Sequence, residues 1–198
     1  MKYDDEYYVL AQGNVASLEM DPEKSKCKNS IFNRGKHVEF EGLIHAYVYC
    51  YGEDPKEEKF NIGNFFIDPN PTMVEELKNV LQTFDLFKTQ YFPLEIGHLD
   101  QLWTGFTMMH NHNYLPALHK TRSKYDTDDN RLYFVDSVSL DEDVLDKIPE
   151  EERLIFRLKE RSTMYFVHQK VVDAIEASGV DGMGFCKVKH WGIGSAFD

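Results

Sequence analysis

The chain has 198 residues, of which 42% are hydrophobic and 14% aromatic, so it is long and apolar enough to bury a core. Its net charge of −12 argues against nucleic acid and anionic lipid as partners, because like charges repel. No run of about 18 apolar residues could span a bilayer, the first residues lack the apolar stretch of a signal peptide, and the three widely spaced cysteines form no disulfide or zinc pattern. We therefore expect a cytoplasmic protein with free thiols and no membrane contact.

Extended structure dominates the elements predicted for the first 70 residues. Residues 7–10 combine tyrosine, valine and leucine and predict the first strand. Residues 21–36 are rich in lysine and asparagine and predict a polar loop. Residues 38–51 are again β-branched and aromatic and predict a strand, bent or broken at Gly42. Residues 60–67 predict a further extended segment.

The first helix signal begins at Thr72. Thr72 and Glu75 stand three residues apart, as in a capping box, where each side chain satisfies a backbone N–H at the start of a helix. The apolar residues that follow recur every three or four positions, which is the spacing of one buried helical face. We expect a helix over about residues 72–84, with its inward face formed by Met73, Val74, Leu77, Val80, Leu81 and Phe84.

Further strands are predicted in the middle of the chain. Residues 91–96 predict a short strand at the edge of a sheet, because Pro93 has no N–H to donate to a second neighbour. Residues 102–109 and 131–135 are apolar and aromatic and predict two more strands.

A second capping box and two more strands follow. Ser139 and Glu142 have the capping-box spacing and predict a short helix, with Val144, Leu145 and Ile148 facing inward. Residues 154–158 alternate between apolar and polar side chains and predict a half-buried strand. Residues 163–167 predict the next strand.

The last predicted helix has clear ends. Residues 168–178 place Val171, Val172, Ala174 and Ile175 on one side. Gly179 follows, where a left-handed C-cap would end the helix and let Val180 fold back onto it. Residues 183–185 then return as a strand. These elements together predict the α+β class, with one domain over residues 1–198, a mixed and mainly antiparallel sheet, and a few packed helices.

One short segment carries most of the excess negative charge. Residues 126–152 hold eleven acidic and two basic side chains, a net charge of −9. A field of this sign accelerates the encounter with a basic partner. A solvated acidic face that keeps the protein soluble explains the same composition, and the sequence leaves both explanations open.

The pair His110 and His112 is the main candidate for metal chemistry. Two residues apart in a strand, the imidazoles would lie on one face, and His119 or the aspartates after residue 125 could add ligands. A zinc or iron site needs three or four ligands that converge in space, and no second metal-binding motif completes this set. Polar side chains at a strand end explain these histidines more simply, so a metal-dependent enzyme using His110, His112 and His119 is the alternative hypothesis.

Other motifs for catalysis or cofactors fail at specific positions. A calcium loop that starts at Asp126 would need Gly at its sixth and Glu at its twelfth position, where the chain has Arg131 and Ser137. No serine lies in a GxSxG motif, and the glycines at 182–184 and 192–194 lack the third glycine of a dinucleotide fingerprint. We therefore expect no enzyme activity and no cofactor.

Several segments resemble one known family. The agreement includes residues 7–10, the helix 73–81 before 91–94, and residues 113–123, and it is strongest over 131–185. The most specific part runs from Ile155-Phe156-Arg157-Leu158 through Tyr165-Phe166-Val167-His168 to Ala174-Ile175-Glu176 and Gly179-Val180-Asp181-Gly182-Met183-Gly184-Phe185. Together these residues resemble the family-eleven immunity proteins of bacterial polymorphic-toxin systems, which were long described as a domain of unknown function.

The resemblance implies a cytoplasmic antitoxin that binds a cognate toxin effector, one that we expect to be basic, and blocks it. The family offers no catalytic residues to transfer. Residues 14–70 match it less closely, which favours a partner-specific role for that part. We expect the toxin to be bound or steered by Asp126, Asp128, Asp129, Asp141, Glu142 and Asp143. An adaptor within a secretion system is a third hypothesis, and the oligomeric state is left open.

Overall fold

A computed structural model describes residues 1–12, 16–50, 62–128 and 131–192. The described residues form two larger β-sheets, a separate β-hairpin and short helices that pack between and beside them. Most strand pairs are antiparallel and two are parallel. The α+β class is confirmed, although the predicted single sheet is divided into two larger sheets and a separate hairpin.

The first sheet has five strands, in the order β13-β1-β12-β11-β8. Only β8 and β11 pair in parallel within it. It joins the N-terminus to the last third of the chain, because β1 lies between β12 and β13. Its strands are β1 (Tyr7–Gln12), β8 (Tyr114–Leu115), β11 (Ile155–Leu158), β12 (Tyr165–His168) and β13 (Met183–Lys187).

The second sheet has six strands, in the order β2-β3-β6-β7-β5-β4. Within it β3 and β6 pair in parallel, and the other neighbours are antiparallel. Its strands are β2 (Ala16–Met20), β3 (Ile44–Cys50), β4 (Phe65–Phe66), β5 (Thr72–Val74), β6 (Thr89–His98) and β7 (Gln101–Asn111).

The hairpin and the helices complete the described part of the chain. The hairpin pairs β9 (Lys124–Asp128) with β10 (Arg131–Ser137). The helices are α1 (Lys2–Glu6), α2 (Pro22–Ser25), α3 (Glu75–Gln82), α4 (Glu142–Leu145) and α5 (Gln169–Ser178). Single 3-10 turns occupy Asn29–Ile31, Glu150–Glu152 and Val188–His190. Among the residues described, no helix is both long and apolar enough to cross a lipid bilayer.

Three apolar clusters form the core. The first surrounds Phe156 and Phe166 on one side of the five-stranded sheet. The second lies on the other side of that sheet, where α3 and α5 pack, and includes Ile155. The third lies against one face of the six-stranded sheet. Because β11 has a cluster on each side, all four of its residues are buried, and the prediction of a half-buried strand at 154–158 was wrong.

The expected helix start at Thr72 was also wrong. Residues 72–74 form β5, which pairs with both β4 and β7, and α3 begins only at Glu75. The Thr72 hydroxyl donates to the backbone oxygen of Asn70 at 3.1 Å instead of capping the helix. Strand pairing on both sides of β5 outweighs the local helix signal. The pairing gives hydrogen-bond partners to the backbone N–H and C=O groups of residues 72–74, whereas a helix cap satisfies only some of the N–H groups.

Pro93 does not mark an edge strand. β6 is ten residues long and lies inside the six-stranded sheet, between β3 and β7. Its pairing with β3 begins at Leu94, one residue after the proline, so on that side Pro93 lies outside the paired residues. A proline is therefore tolerated in an interior strand.

Two smaller predictions need correction. The expected loop over 21–36 contains α2, which is capped by Asp21, and a 3-10 turn. The N-cap of α4 is Asp141, whose carboxylate accepts the Val144 N–H at 3.3 Å, whereas Ser139 donates to Asp4. An aspartate directly before the first turn is a good cap and leaves Ser139 available for this tertiary contact.

The last third of the chain follows its prediction closely. α5 begins after His168, whose ring accepts the Lys170 N–H, and ends at Gly179 with φ +71°. Val180 packs against the second cluster. β13 then returns antiparallel to β1.

Candidate functional site

The acidic segment 126–152 is divided between two elements. Asp126 and Asp128 lie on β9 of the hairpin, and the Asp126 side chain is exposed. Asp129 lies outside the described residues. The remaining three expected residues, Asp141, Glu142 and Asp143, surround the start of α4.

Two of the acids around α4 are used within the chain. Asp141 caps the helix, and the Glu142 carboxylate accepts the backbone N–H of Lys2 at 2.8 Å. Asp143 is exposed. Among the members of the predicted set whose side chains the structure describes, Asp126 and Asp143 are the ones exposed without a described bond, and toxin binding by this set stays a prediction.

His110 and His112 do lie together, as their spacing predicts. Their rings stack with centroids 5.4 Å apart, and the His37 ring lies 5.9 Å from that of His112. His110 Nε2 bonds the backbone oxygen of Lys36 at 2.9 Å. Burial lowers the pKa of both imidazoles, and that of His112 falls to about 4, so the pair is neutral at pH 7.

His119 has different neighbours from these two histidines. Its Nδ1 accepts the Arg122 N–H at 3.3 Å, and its backbone N–H donates to the Ser139 oxygen at 2.9 Å. Among the described residues, no group of three or more His, Cys, Asp or Glu side chains is arranged to hold a metal ion. The structure thus brings together two of the three residues that the metal hypothesis requires.

A surface that the sequence did not single out lies on the six-stranded sheet. One face of β2, β3 and β6 packs on the third cluster through Leu18, Ile44, Ala46, Val48, Leu94 and Ile96. Because side chains alternate along a strand, the residues between them point to the opposite side. We call that side the open face and define it by Glu19, His45, Tyr47, Glu95, Leu99 and Leu102.

Among the described residues, the open face lies beyond the part of the six-stranded sheet that packs with α3 and α5. Tyr91, near the start of β6, packs with the cluster that contains α3 and α5. Farther along β6, Glu95 lines two adjoining grooves, one beside α2 and one beside α3. The first groove, of about 310 Å³, lies among Tyr47, Glu95, Leu99 and Leu102. The second, of about 480 Å³, lies between β6, β7 and α3.

The apolar residues beside the first groove are exposed to an unusual degree. Leu99 is 62%, Leu102 60% and Tyr47 40% exposed. A single exposed leucine is ordinary, but several large apolar side chains that share one groove mark a binding surface. Tyrosines and leucines in such a cleft can anchor a partner by burying area with little loss of side-chain entropy.

Carboxylates provide the polar part of the open face. The Tyr47 hydroxyl donates to Glu19, and this hydrogen bond raises the pKa of the Tyr47 phenol to about 12. Glu95 Oε1 lies 2.6 Å from His45 Nδ1 on the neighbouring strand. Glu19 and Glu95 thus place two carboxylates on the open face.

The lysines beside the grooves are already paired. Lys24 Nζ lies 3.8 Å from Asp21 Oδ2, and Lys78 Nζ lies 2.9 Å from Glu75 Oε1. Each of these pairs has no net charge, so the remaining carboxylates, Glu19 and Glu95, give the face a negative excess. The open face therefore suits contact with apolar side chains and, through its carboxylate oxygens, with a cation. This arrangement differs from that of a nucleophile held beside a general base.

The sequence matches no protein-family model and no curated protein. The resemblance to the family-eleven immunity proteins therefore rests on the residues that carry it.

Proposed function

We propose that this chain is a non-enzymatic immunity protein, which binds a cognate bacterial toxin effector and neutralises it by occlusion. The observation that carries the proposal is the open face, where exposed leucines and a tyrosine line the first of two adjoining grooves with a net negative rim. An inhibitor must release its target slowly, and buried apolar anchors are the contacts that slow dissociation.

The charge distribution suits a basic toxin. The chain carries −12 overall and −9 within residues 126–152, so its field attracts a cation-rich protein over distances of about a Debye length. The cytoplasm of the producing cell is where such an inhibitor would meet its toxin.

Co-expression tests the proposal directly. The C-terminal domain encoded by the neighbouring open reading frame is expressed alone and together with this chain in a heterologous bacterium. We expect growth arrest with the domain alone, restored growth with both, and a complex that survives washing at 0.5 M salt. A non-toxic neighbouring domain that this chain still binds would favour an adaptor, and a toxic domain that this chain cannot neutralise would contradict the proposal.

Metal analysis separates this function from the alternative. If the protein were an enzyme that uses His110 and His112, purification without chelators should leave near-stoichiometric zinc, iron or manganese. We expect substoichiometric metal and unchanged toxin neutralisation in a His110→Gln/His112→Gln variant that remains folded.

A further inference from the structure

We propose that the toxin docks on the open face, with a lysine or arginine of the toxin in the first groove against Glu95 and an apolar part of its surface over Leu99 and Leu102. This inference rests on the proposed function, because it locates the partner of that function. This inference places the contact itself on the open face. The acidic segment 126–152 then accelerates the first encounter with the toxin through its charge.

Charge complementarity selects a basic occupant. Glu95 lines both grooves, so a cation that reaches it lies at the centre of the surface. The long aliphatic stem of lysine or arginine can lie against Leu102 and Tyr47 while its charged end bonds Glu95 and Glu19. Because Lys24 and Lys78 are neutralised by their own partners, they present little repulsion to such a residue.

A second copy of this chain is a poor occupant of the same face. In a two-fold dimer the patch would meet itself, and Glu19 and Glu95 would face equal charges. Each copy also carries a net charge of −12, which adds repulsion at long range. The face therefore fits a partner of opposite charge better than it fits itself.

Leu99 provides an independent argument. It is the first residue of the two-residue turn that joins β6 to β7, and its φ is +49°. Glycine, asparagine or aspartate is preferred at such positions, since a larger side chain strains a left-handed backbone. The turn thus holds a leucine where the backbone favours glycine, and that leucine is 62% exposed beside the first groove. Strained residues cluster at functional sites, and Leu99 combines this backbone with a large exposed apolar side chain at a groove.

The experiment measures binding of the toxic domain encoded by the neighbouring gene to folded variants of this chain. Glu95→Lys and Leu102→Asp should each raise the Kd at least about 30-fold. Leu99→Gly should raise it about tenfold and leave the melting temperature equal or higher. The matched controls are Lys88→Gly, which relieves another left-handed residue (φ +53°), Phe134→Ser, which removes an exposed aromatic from the hairpin without changing the charge, and Glu176→Lys on α5. Each control should change the Kd less than about twofold.

A second measurement does not depend on the stability of any variant. Hydrogen exchange of the wild-type complex should show new protection in β3 and in residues 97–102. Face variants that bind like the wild type, or protection confined to residues 126–152, would overturn the inference while leaving the proposed function intact. A wild-type chain that fails to bind the toxic domain would overturn both, and a self-association that Glu95→Lys abolishes and the toxic domain does not displace would assign the face to a second copy.

Discussion

The carboxylate of Asp4 accepts the backbone N–H of Leu140 at 2.7 Å, although the two residues are 136 positions apart in the sequence. The second oxygen of Asp4 accepts the Ser139 hydroxyl at 2.8 Å. Asp4 is only 2% exposed, so its charge is compensated by these donors rather than by water. The contact fixes α1 to the chain just before α4.

Replacing Asp4 by alanine should lower the free energy of unfolding by about 1–3 kcal/mol, because the buried Leu140 N–H would lose its acceptor. Chemical denaturation monitored by circular dichroism measures this change. The control is Asp5→Ala, which removes an exposed ion pair with Lys189 and should cost clearly less than Asp4→Ala, because solvent screens that pair. Equal losses in the two variants would show that the Asp4 contact adds nothing specific.

His168 should make stability depend on pH. Its Nδ1 accepts the Lys170 N–H at 3.2 Å, which requires a neutral ring, and burial lowers the pKa of His168 below its usual value of about 6.5. The folded state therefore binds this proton more weakly than the unfolded state does. The stabilisation is fully present above about pH 6.5 and is lost as the pH falls below that value.

The variant His168→Asn tests this argument, since asparagine can cap a helix and does not titrate. Between pH 7.5 and 5.5 the melting temperature of the wild type should fall more than that of His168→Asn. His168→Ala should be less stable than His168→Asn by about 1 kcal/mol at every pH, because it loses the cap and neither side chain titrates. Parallel pH profiles for the wild type and His168→Asn would assign the pH dependence to other groups.

Local signals predicted the elements whose ends are set by their own residues. α5 ends at Gly179 because the next turn needs a left-handed residue, and the sequence places a glycine there. β1 and β7 are apolar enough to be recognised without their partners. α3 was misjudged at its start because the pairing of β5 with strands distant in sequence decides the conformation of residues 72–74.

The open face could not be predicted for the same reason. His45 meets Glu95 only because β3 and β6 pair in parallel, and no local pattern specifies that register. The available signal was weak: the tyrosines at 47 and 49 alternate with buried residues on β3, and an exposed leucine occupies a tight turn. The acidic segment could be recognised by counting charges, whereas the open face is assembled by the pairing of strands that are distant in sequence.

Two glycines with positive φ should respond differently to alanine. At Gly179 a Cβ would meet no atom within 4 Å, so Gly179→Ala should cost only the conformational penalty of about 1 kcal/mol. At Gly182, with φ +106°, a Cβ would lie 3.3 Å from the Phe65 nitrogen, so Gly182→Ala should cost about 2 kcal/mol or more. Denaturation midpoints measured side by side decide the order, and a smaller loss at Gly182 would contradict this packing.

The acidic segment and the open face should control different steps of toxin binding. Steering depends on charges that reach into solvent, and Asp126 and Asp143 are exposed and without a described structural bond, unlike the capping residue Asp141. Asp126→Lys/Asp143→Lys should slow association about tenfold at low salt and leave dissociation unchanged, because rim charges act mainly on the rate of encounter.

The matched control for this variant is Asp173→Lys/Glu176→Lys on α5, which changes the net charge by the same amount at another place. Stopped-flow or surface-based kinetics at about 50 mM and 500 mM salt separates the two steps, since screening should remove the difference in association rate between the variants. Leu102→Asp should behave in the opposite way, with faster dissociation at both salt concentrations, because the loss of an apolar anchor is not screened. If both double variants slow association equally, the total charge of the chain steers the toxin and the position of the acidic segment does not.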